Sequence, residues 1–415
     1  MRNIRTIQDV VDWGLCVGCG ACRYACDSGK VSLKNIDAVG IRPVLKEDCL
    51  ECTECLEFCP GIAVKSNNLS ANKLGNDEHH LLIGPTLEIW EGYAEDPDIR
   101  YAASSGGMLS ALSLYCLEKE DMEFVLHSGM NPDKPWENMS VQSSGGKKDL
   151  LNRTGSRYAP SSPCDSLKLI EKSDRPCVFI GKPCDAAAVS QLRKQRSLLD
   201  ERLGLTMTFF CAGTPNCKGT ADLLRKMEIS PDDINTIHYR GNGWPGDFRV
   251  TFKNKSDMRS LSYEESWSFL QKYRSFRCNL CPDGLGELAD ISCGDAWHRH
   301  KTSNSHGLSL VLIRTERGRE IFHNAMKAGY IKAYNSSAAN VVAAQGLVRR
   351  RQEIFGRLLA MRLLLLPIPE YVGFSLFKAW MKNHLSTQIK SILGTLRRLI
   401  QRGLWHRNSL KLPRL

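Results

Sequence analysis

Apolar positions in the middle of the chain follow two alternating rhythms. Glu123–His127, Cys177–Ile180, Leu205–Phe210 and Leu308–Ile313 are apolar runs of strand length. Between them, residues 107–118, 184–196, 217–227 and 316–328 read as helices. This alternation predicts an α/β or mixed α+β body. Nearer the start, Val31–Leu33 and Gly40–Val44 read as short strands around a turn, and residues 66–84, with several Asn plus His79 and His80, read as a linker. From Phe374 to Leu404 a single helix is expected, because Phe377, Met381, Leu385, Ile389, Ile392, Leu396 and Ile400 recur at helical spacing with lysines and arginines in the gaps.

No stretch approaches the ~18 uninterrupted apolar residues of a membrane span. Leu358–Pro369 comes nearest, and Arg362 and the prolines interrupt it. The opening residues, with Arg2, Arg5, Asp9 and Asp12, do not resemble a secretory signal, so a cytoplasmic location is expected. The formal charge of +11 is unevenly spread. After Glu370 come nine Lys/Arg and no Asp or Glu, which leaves the rest of the chain nearly neutral. Nucleic-acid binding, which needs cations distributed over the binding domain, is therefore not expected. The basic amphipathic tail suits peripheral contact with an anionic membrane surface, with Trp380 and Trp405 near the headgroups, or packing on the body or a partner.

Seventeen cysteines in a 415-residue chain without an export signal point to metal or cluster ligation and not to a disulfide framework. Cys16, Cys19, Cys22 and Cys26 have the spacing C-x2-C-x2-C-x3-C; Cys49, Cys52, Cys55 and Cys59 repeat it, followed by Pro60. The arrangement resembles bacterial two-cluster ferredoxins, where three close thiolates hold one 4Fe–4S cluster and the fourth crosses to the other. That resemblance assigns Cys16, Cys19, Cys22 and Cys59 to one cluster and Cys49, Cys52, Cys55 and Cys26 to the second. Gly18 and Gly20 permit the tight backbone. Asp27 stands where a proline often follows the fourth cysteine, which alters the turn and not the ligation. Zinc, usually held by two separated cysteine pairs, fits this spacing less well.

Two further regions invite a site. Tyr101–Gly107 runs straight into a helix, where free N–H groups could receive an anion or where Ser104 or Ser105 could simply cap the helix. Arg157, in Thr154–Tyr158, carries a guanidinium suited to phosphate or is an ordinary surface residue. The second region is scattered. Cys184, Cys211, Cys278, Cys281 and Cys293 lie at predicted strand ends and helix starts, where four thiols could meet around a third cluster or be buried as free cysteines.

Taken in order, these segments resemble the beta-subunit family of coenzyme F420 hydrogenases and dehydrogenases over roughly residues 10–345. The resemblance rests on the ferredoxin set, Ser104–Gly107, Ser156–Tyr158, Gly181–Cys184, Cys211, Cys278–Cys281 with Asp283, and Ala289–Ile291 with Gly294 and Asp295. It implies an iron–sulfur flavoprotein oxidoreductase. FAD would lie near Ser104, Ser105, Gly106, Gly107, Arg157 and Tyr158. Cys184, Cys211, Cys278 and Cys281 would hold a third 4Fe–4S cluster, with Cys293 a further candidate. Electrons would pass from a low-potential donor such as ferredoxin to an organic substrate or the deazaflavin coenzyme. A carrier subunit without catalysis is the alternative. Lys182, where many relatives have threonine, leaves use of the deazaflavin open. Tyr239–Gly246 and Cys293–Trp297 look most like bacterial members associated with polysaccharide biosynthesis. No catalytic residue is singled out; Asp185, Asp295, His298 and His300 lie near the cysteines and read chiefly as structural or solvent-exposed. The implied organisation is a ferredoxin-type domain at 1–70, flavin-binding and cluster-bearing parts at 85–165 and 166–345, and a helical basic tail at 346–415.

Overall fold

The computed structural model describes residues 4–46, 49, 52–66, 80–253, 256–299 and 306–407. Most of the segment read as a linker, residues 67–79, lies outside them. The body is built on an eight-stranded mixed sheet: β1 (Glu88–Ala94), β2 (Val125–Met130), β3 (Asn138–Ser143), β4 (Cys177–Gly181), β5 (Leu203–Phe209), β6 (Ile291–Asp295), β7 (Ser309–Ile313) and β8 (Ile331–Asn335). The order across the sheet is β8-β1-β7-β6-β5-β4-β2-β3. Its centre, β2-β4-β5-β6, is parallel, and antiparallel neighbours extend it on both sides.

Both faces of the parallel centre are covered, which is why its strands read as continuous apolar runs. Val125, Val178, Leu205 and Val311 pack beneath helices Met108–Lys119 and Glu316–Lys327 through Leu112, Cys116, Ile321 and Phe322. On the opposite face, Leu126 and Phe179 meet Val189 and Leu192 of helix Pro183–Leu192, together with Tyr24 and Phe58 of the cysteine-rich segment. That segment is therefore part of the folded body. Its hairpin, Val31–Ile36 with Gly40–Leu45, forms where expected.

A three-stranded antiparallel sheet, Ile234–His238, Phe248–Phe252 and Met258–Leu261, sits beside the body on its own core of Leu223, Tyr239, Phe248 and Leu270. The helix expected at 184–196 begins instead at Pro183, a favourable first helical residue, and ends at Leu192.

The C-terminal segment departs most from expectation. The single helix expected from Phe374 to Leu404 is two, Leu376–Met381 and Leu385–Gln401, separated where His384 adopts an extended conformation. A further helix, Leu347–Leu363, precedes them, and strand Glu370–Val372 pairs in parallel with Ala63–Lys65 of the cysteine-rich segment. Arg407 reaches back to Asp9 and Asp12, at 2.9 Å each. Through Arg407 the basic stretch is strapped across the N-terminal segment, the packing on the body that its pattern also allowed.

Candidate functional site

The two N-terminal motifs cross. Burial raises the Cys22 thiol well above its usual range, and Cys19, Cys16 and Cys59 beside it raise it further, with Cys55 beyond them. Burial likewise raises Cys59, reinforced by Cys19 and Cys16. Cys55 is pushed up to about 12, first by burial and then by Cys49, Cys52 and Cys26. Thiols from one motif thus collect with the fourth cysteine of the other. Backbone N–H groups meet the sulfurs: Gly18 at Cys16, Ala21 at Cys19, and Gly61 and Ile62 at Cys59. Cys26 stays below the usual thiol range although burial opposes it, because the Ser28 hydroxyl and the N–H groups of Lys30, Val31 and Gly29 stabilise its thiolate. Gly18 and Gly20 have φ of +72° and +89°, and a Cβ at Gly20 would stand 2.8 Å from the Asp165 nitrogen.

Four distant cysteines form a third group. Cys184 interacts with Cys211 and Cys281, and Cys281 with Cys211 and Cys278. All four line one small cavity of about 70 Å³, with Lys182, Arg277, Asp283 and Tyr371 around it. The sheet explains the convergence. Cys184 is the second residue of the helix after β4, Cys211 follows β5, and Cys278 and Cys281 come from the turn Phe276–Leu280 and the residue after it. Cys293 does not join them. It lies within β6, and burial alone raises its thiol. Among the described residues no group of three or more His, Cys, Asp or Glu side chains is placed as the donor set of a single metal ion.

A larger cavity of about 540 Å³, within the range that holds cofactors and small ligands, adjoins the third thiol group. Cys211, Gly213, Lys182 and Arg350 line both cavities. Ser104, Ser105, Gly107, Arg157 and Tyr158 line the larger one. Gly106 does not; its N–H donates to Ser309 Oγ at 2.9 Å, and a Cβ there would stand 2.6 Å from the Gly92 carbonyl oxygen. Neither serine caps the helix. Gly107 occupies that position with φ +79°, and no side chain accepts from the first turn. Ser104 Oγ instead accepts from the Ser156 N–H at 2.6 Å, and Ser105 Oγ donates to the Leu308 carbonyl at 3.2 Å.

Arg157 is committed elsewhere. Its guanidinium donates to Asn138 Oδ1 (2.9 Å) and to the carbonyls of Ile237 (2.6 Å), Pro135 (2.7 Å) and Glu137 (3.1 Å). It braces the cavity wall, neither reaching for phosphate nor pointing into solvent. Lys182 is buried, with Nζ 2.7 Å from Asp185 and 2.9 Å from both Ser161 oxygens. Burial works against its charge, but Asp185 and then the Cys184 thiol outweigh it and hold the ammonium above the usual lysine range.

Of the acids and histidines near the cysteines, Asp185 is occupied by Lys182 and Asp295 by Arg240 and Trp244. His298 Nε2 meets Glu91 at 3.2 Å, and His300 lies outside the described residues. Sequence reasoning gave no site role to the wall that Arg240, Tyr263 and Trp297 make in the larger cavity. Arg240 sits 4.7 Å from the Tyr263 ring centre and 5.4 Å from that of Trp297, and those two rings stack at 5.5 Å. It also overlooked His127 in the same cavity, whose imidazole burial lowers to about 4, helped by the nearby Arg153 charge.

Comparison with known proteins agrees with this architecture. The chain is 26% identical over 249 residues to the coenzyme F420 hydrogenase subunit beta of Methanococcus voltae, covering 58% of this chain and 82% of that one. It is 22% identical over 331 residues to the coenzyme F420-dependent sulfite reductase of Methanocaldococcus jannaschii, spanning 76% of this chain but 46% of that longer protein. Among solved structures, a chain of the F420-reducing NiFe hydrogenase complex from Methanosarcina barkeri superposes with a TM-score of 0.51 at 22% identity, over 66% of this chain and 94% of that one. These relatives are oxidoreductases or subunits of them, and the class of the chain is oxidoreductase. Residues 89–168 match the N-terminal and residues 174–338 the C-terminal model of one family, and the chain belongs to it: coenzyme F420 hydrogenase/dehydrogenase, beta subunit.

Proposed function

We propose that the chain is an iron–sulfur flavoprotein that takes electrons from a low-potential donor protein such as ferredoxin and delivers them to an organic substrate or to the deazaflavin coenzyme. The observation that carries this reading is the shared wall. Cys211 belongs to the third thiol group and also lines the 540 Å³ cavity. A one-electron carrier and an organic ligand would be neighbours there.

The residues suit the groups. Each of the three thiol collections has four members, and N–H groups directed at thiolates are what an anionic iron–sulfur cube requires. At the larger cavity, Gly107, Met108 and Leu109 open the 12-residue helix Met108–Lys119, whose first-turn N–H groups have no side-chain cap. Such a helix start favours the diphosphate of FAD. Tyr158, Tyr263, Trp267 and Trp297 give the cavity an aromatic lining. Bound there, FAD would supply the exchange between single electrons and electron pairs. Arg157 and Arg240 hold the surrounding loops in place, and Lys182 keeps a positive charge between the two cavities.

A cavity of this size within the chain favours catalysis over passive relay. A role in polysaccharide biosynthesis rests only on the likeness of Tyr239–Gly246 and Cys293–Trp297 to bacterial members. The division at 1–70, 85–165, 166–345 and 346–415 is part of this proposal, with the last segment folded onto the first.

The test is anaerobic. Protein purified without oxygen is reduced by reduced ferredoxin, and flavin absorbance near its visible maximum is followed before and after adding oxidised coenzyme F420. Bleaching followed by recovery supports delivery to the deazaflavin. Bleaching without recovery directs the search to another organic acceptor. Absence of any flavin signal would refute the flavoprotein reading.

A further inference from the structure

The helix Leu385–Gln401 is amphipathic, and it is mounted with its apolar side outward. Leu385, Ile389, Leu393 and Ile400 lie on one side of it and are 70%, 47%, 59% and 65% exposed. The buried side is Ser391, Thr395 and Leu399. A surface helix ordinarily turns its apolar stripe to the core, so this orientation needs a cause.

Small residues supply it. Ser391 packs directly against Gly356 of helix Leu347–Leu363, so closely that a Cβ at Gly356 would overlap the Ser391 hydroxyl. The Trp380 indole N–H donates to the same hydroxyl at 3.2 Å, and the hydroxyl donates to the Gln388 carbonyl at 2.6 Å. Thr395 Oγ1 donates to the Ser391 carbonyl at 2.8 Å. At the Gly356 contact serine fits where a leucine would not, and Leu385, Ile389, Leu393 and Ile400 are left facing out. Phe377 and Met381 of the preceding helix are also more than half exposed, at 54% and 53%.

Charge identifies what would cover this face. Lys390 and Arg397 border the apolar stripe and are exposed, and neither is in an ion pair with a described residue. Nine Lys/Arg and no acidic residue follow Glu370. A second copy of the chain would set one basic stripe against another. A bilayer rich in anionic headgroups offers both partners at once, acyl chains for the leucines and negative charge for their cationic border.

We propose that the outward face of Leu385–Gln401 docks the protein on an anionic lipid surface, lying in the plane of the interface. No helix among the described residues is long and apolar enough to cross a membrane, so the contact is peripheral.

Full-length protein with its cofactors is sedimented with vesicles of phosphatidylcholine alone or enriched in phosphatidylglycerol. Three proteins are compared: wild type, the triple variant Leu385→Gln, Ile389→Gln, Leu393→Gln, and the double variant Lys390→Gln, Arg397→Gln. These positions face solvent, and unchanged circular dichroism and size-exclusion profiles serve as the folding control. Wild type is expected to bind phosphatidylglycerol vesicles, to bind pure phosphatidylcholine far more weakly, and to be released by raised salt. Each variant is expected to bind at least about tenfold more weakly. Failure of wild type to bind would overturn the proposal, as would equal binding to both lipids or variants that bind like wild type. A vesicle-free dimer abolished by the triple variant would assign the face to a second copy and overturn it equally.

Discussion

Arg240 and Asp295 form a two-pronged ion pair, with Nη1 to Oδ2 at 2.9 Å and Nη2 to Oδ1 at 3.0 Å. The pair links three parts of the larger cavity. Asp295 closes strand β6, and Arg240 also donates to the Pro245 carbonyl at 2.8 Å and to the Ser104 carbonyl at 2.5 Å. Trp244 donates its indole N–H to Asp295 at 2.8 Å, and Gln345 donates to the Asp295 carbonyl at 2.6 Å. Burial opposes the Arg240 charge, but Asp295 outweighs it and raises the group above its ordinary range.

Asp295→Asn leaves a buried guanidinium without its counter-charge. Removing one partner of such a pair costs about 3–5 kcal/mol. Thermal unfolding should show a clear loss of stability, and bound flavin should fall with it. A melting temperature and flavin content equal to wild type would mean that the pair does not hold the wall.

The sequence made the elements that bury apolar runs easy to read, and the polar ones hard. The runs around Phe179, Met207 and Val311 appeared as strands because both sheet faces are covered there. Strand β1 was hidden because Glu88 and Glu91 interrupt it; the first accepts from Trp90 and His323, and the second pairs with Arg299 and His298. The edge strand β3, with Asn138 and Ser140, has too little apolar pattern to stand out. At the site, five scattered cysteines at strand ends and helix starts suggested a meeting of four, and family resemblance picked out which four. The exclusion of Cys293 depends on which way β6 turns its side chains. The commitment of Arg157 to Asn138 and three carbonyls depends on long-range folding, which no local motif encodes. The tail's periodicity was real, but which side would face inward was decided by the fit of Ser391 against Gly356.

Gly107→Ala should weaken the helix start at the cavity. The residue has φ +79°, and an added Cβ would stand 3.1 Å from both Ala94 Cβ and the Ile99 carbonyl oxygen. A left-handed conformation costs a residue with a side chain about 1–2 kcal/mol. The expected result is a melting temperature lowered by a few degrees and flavin that dissociates more readily on dilution. Retention identical to wild type would remove this helix start from the binding site.

His127 should make stability depend on pH. Its folded value is about 4, lowered by burial, against roughly 6.5 in an unfolded chain. The unfolded chain therefore binds the extra proton first as pH falls. The stabilisation from keeping the imidazole neutral is complete above about 6.5 and is lost progressively down to about 4, at up to roughly 1.4 kcal/mol per pH unit. Melting temperatures measured between these limits should decline less steeply in His127→Gln than in wild type. Parallel curves would show that another group governs the acid limit.

The most direct test of the account is the iron content of anaerobically purified wild type beside Cys184→Ala. Three groups of four thiols predict about twelve iron atoms in wild type, and about eight in the variant with the two N-terminal clusters intact. Wild type holding about eight, or a variant that loses no iron, would contradict the third cluster and with it the link between the cysteine-rich segment and the larger cavity.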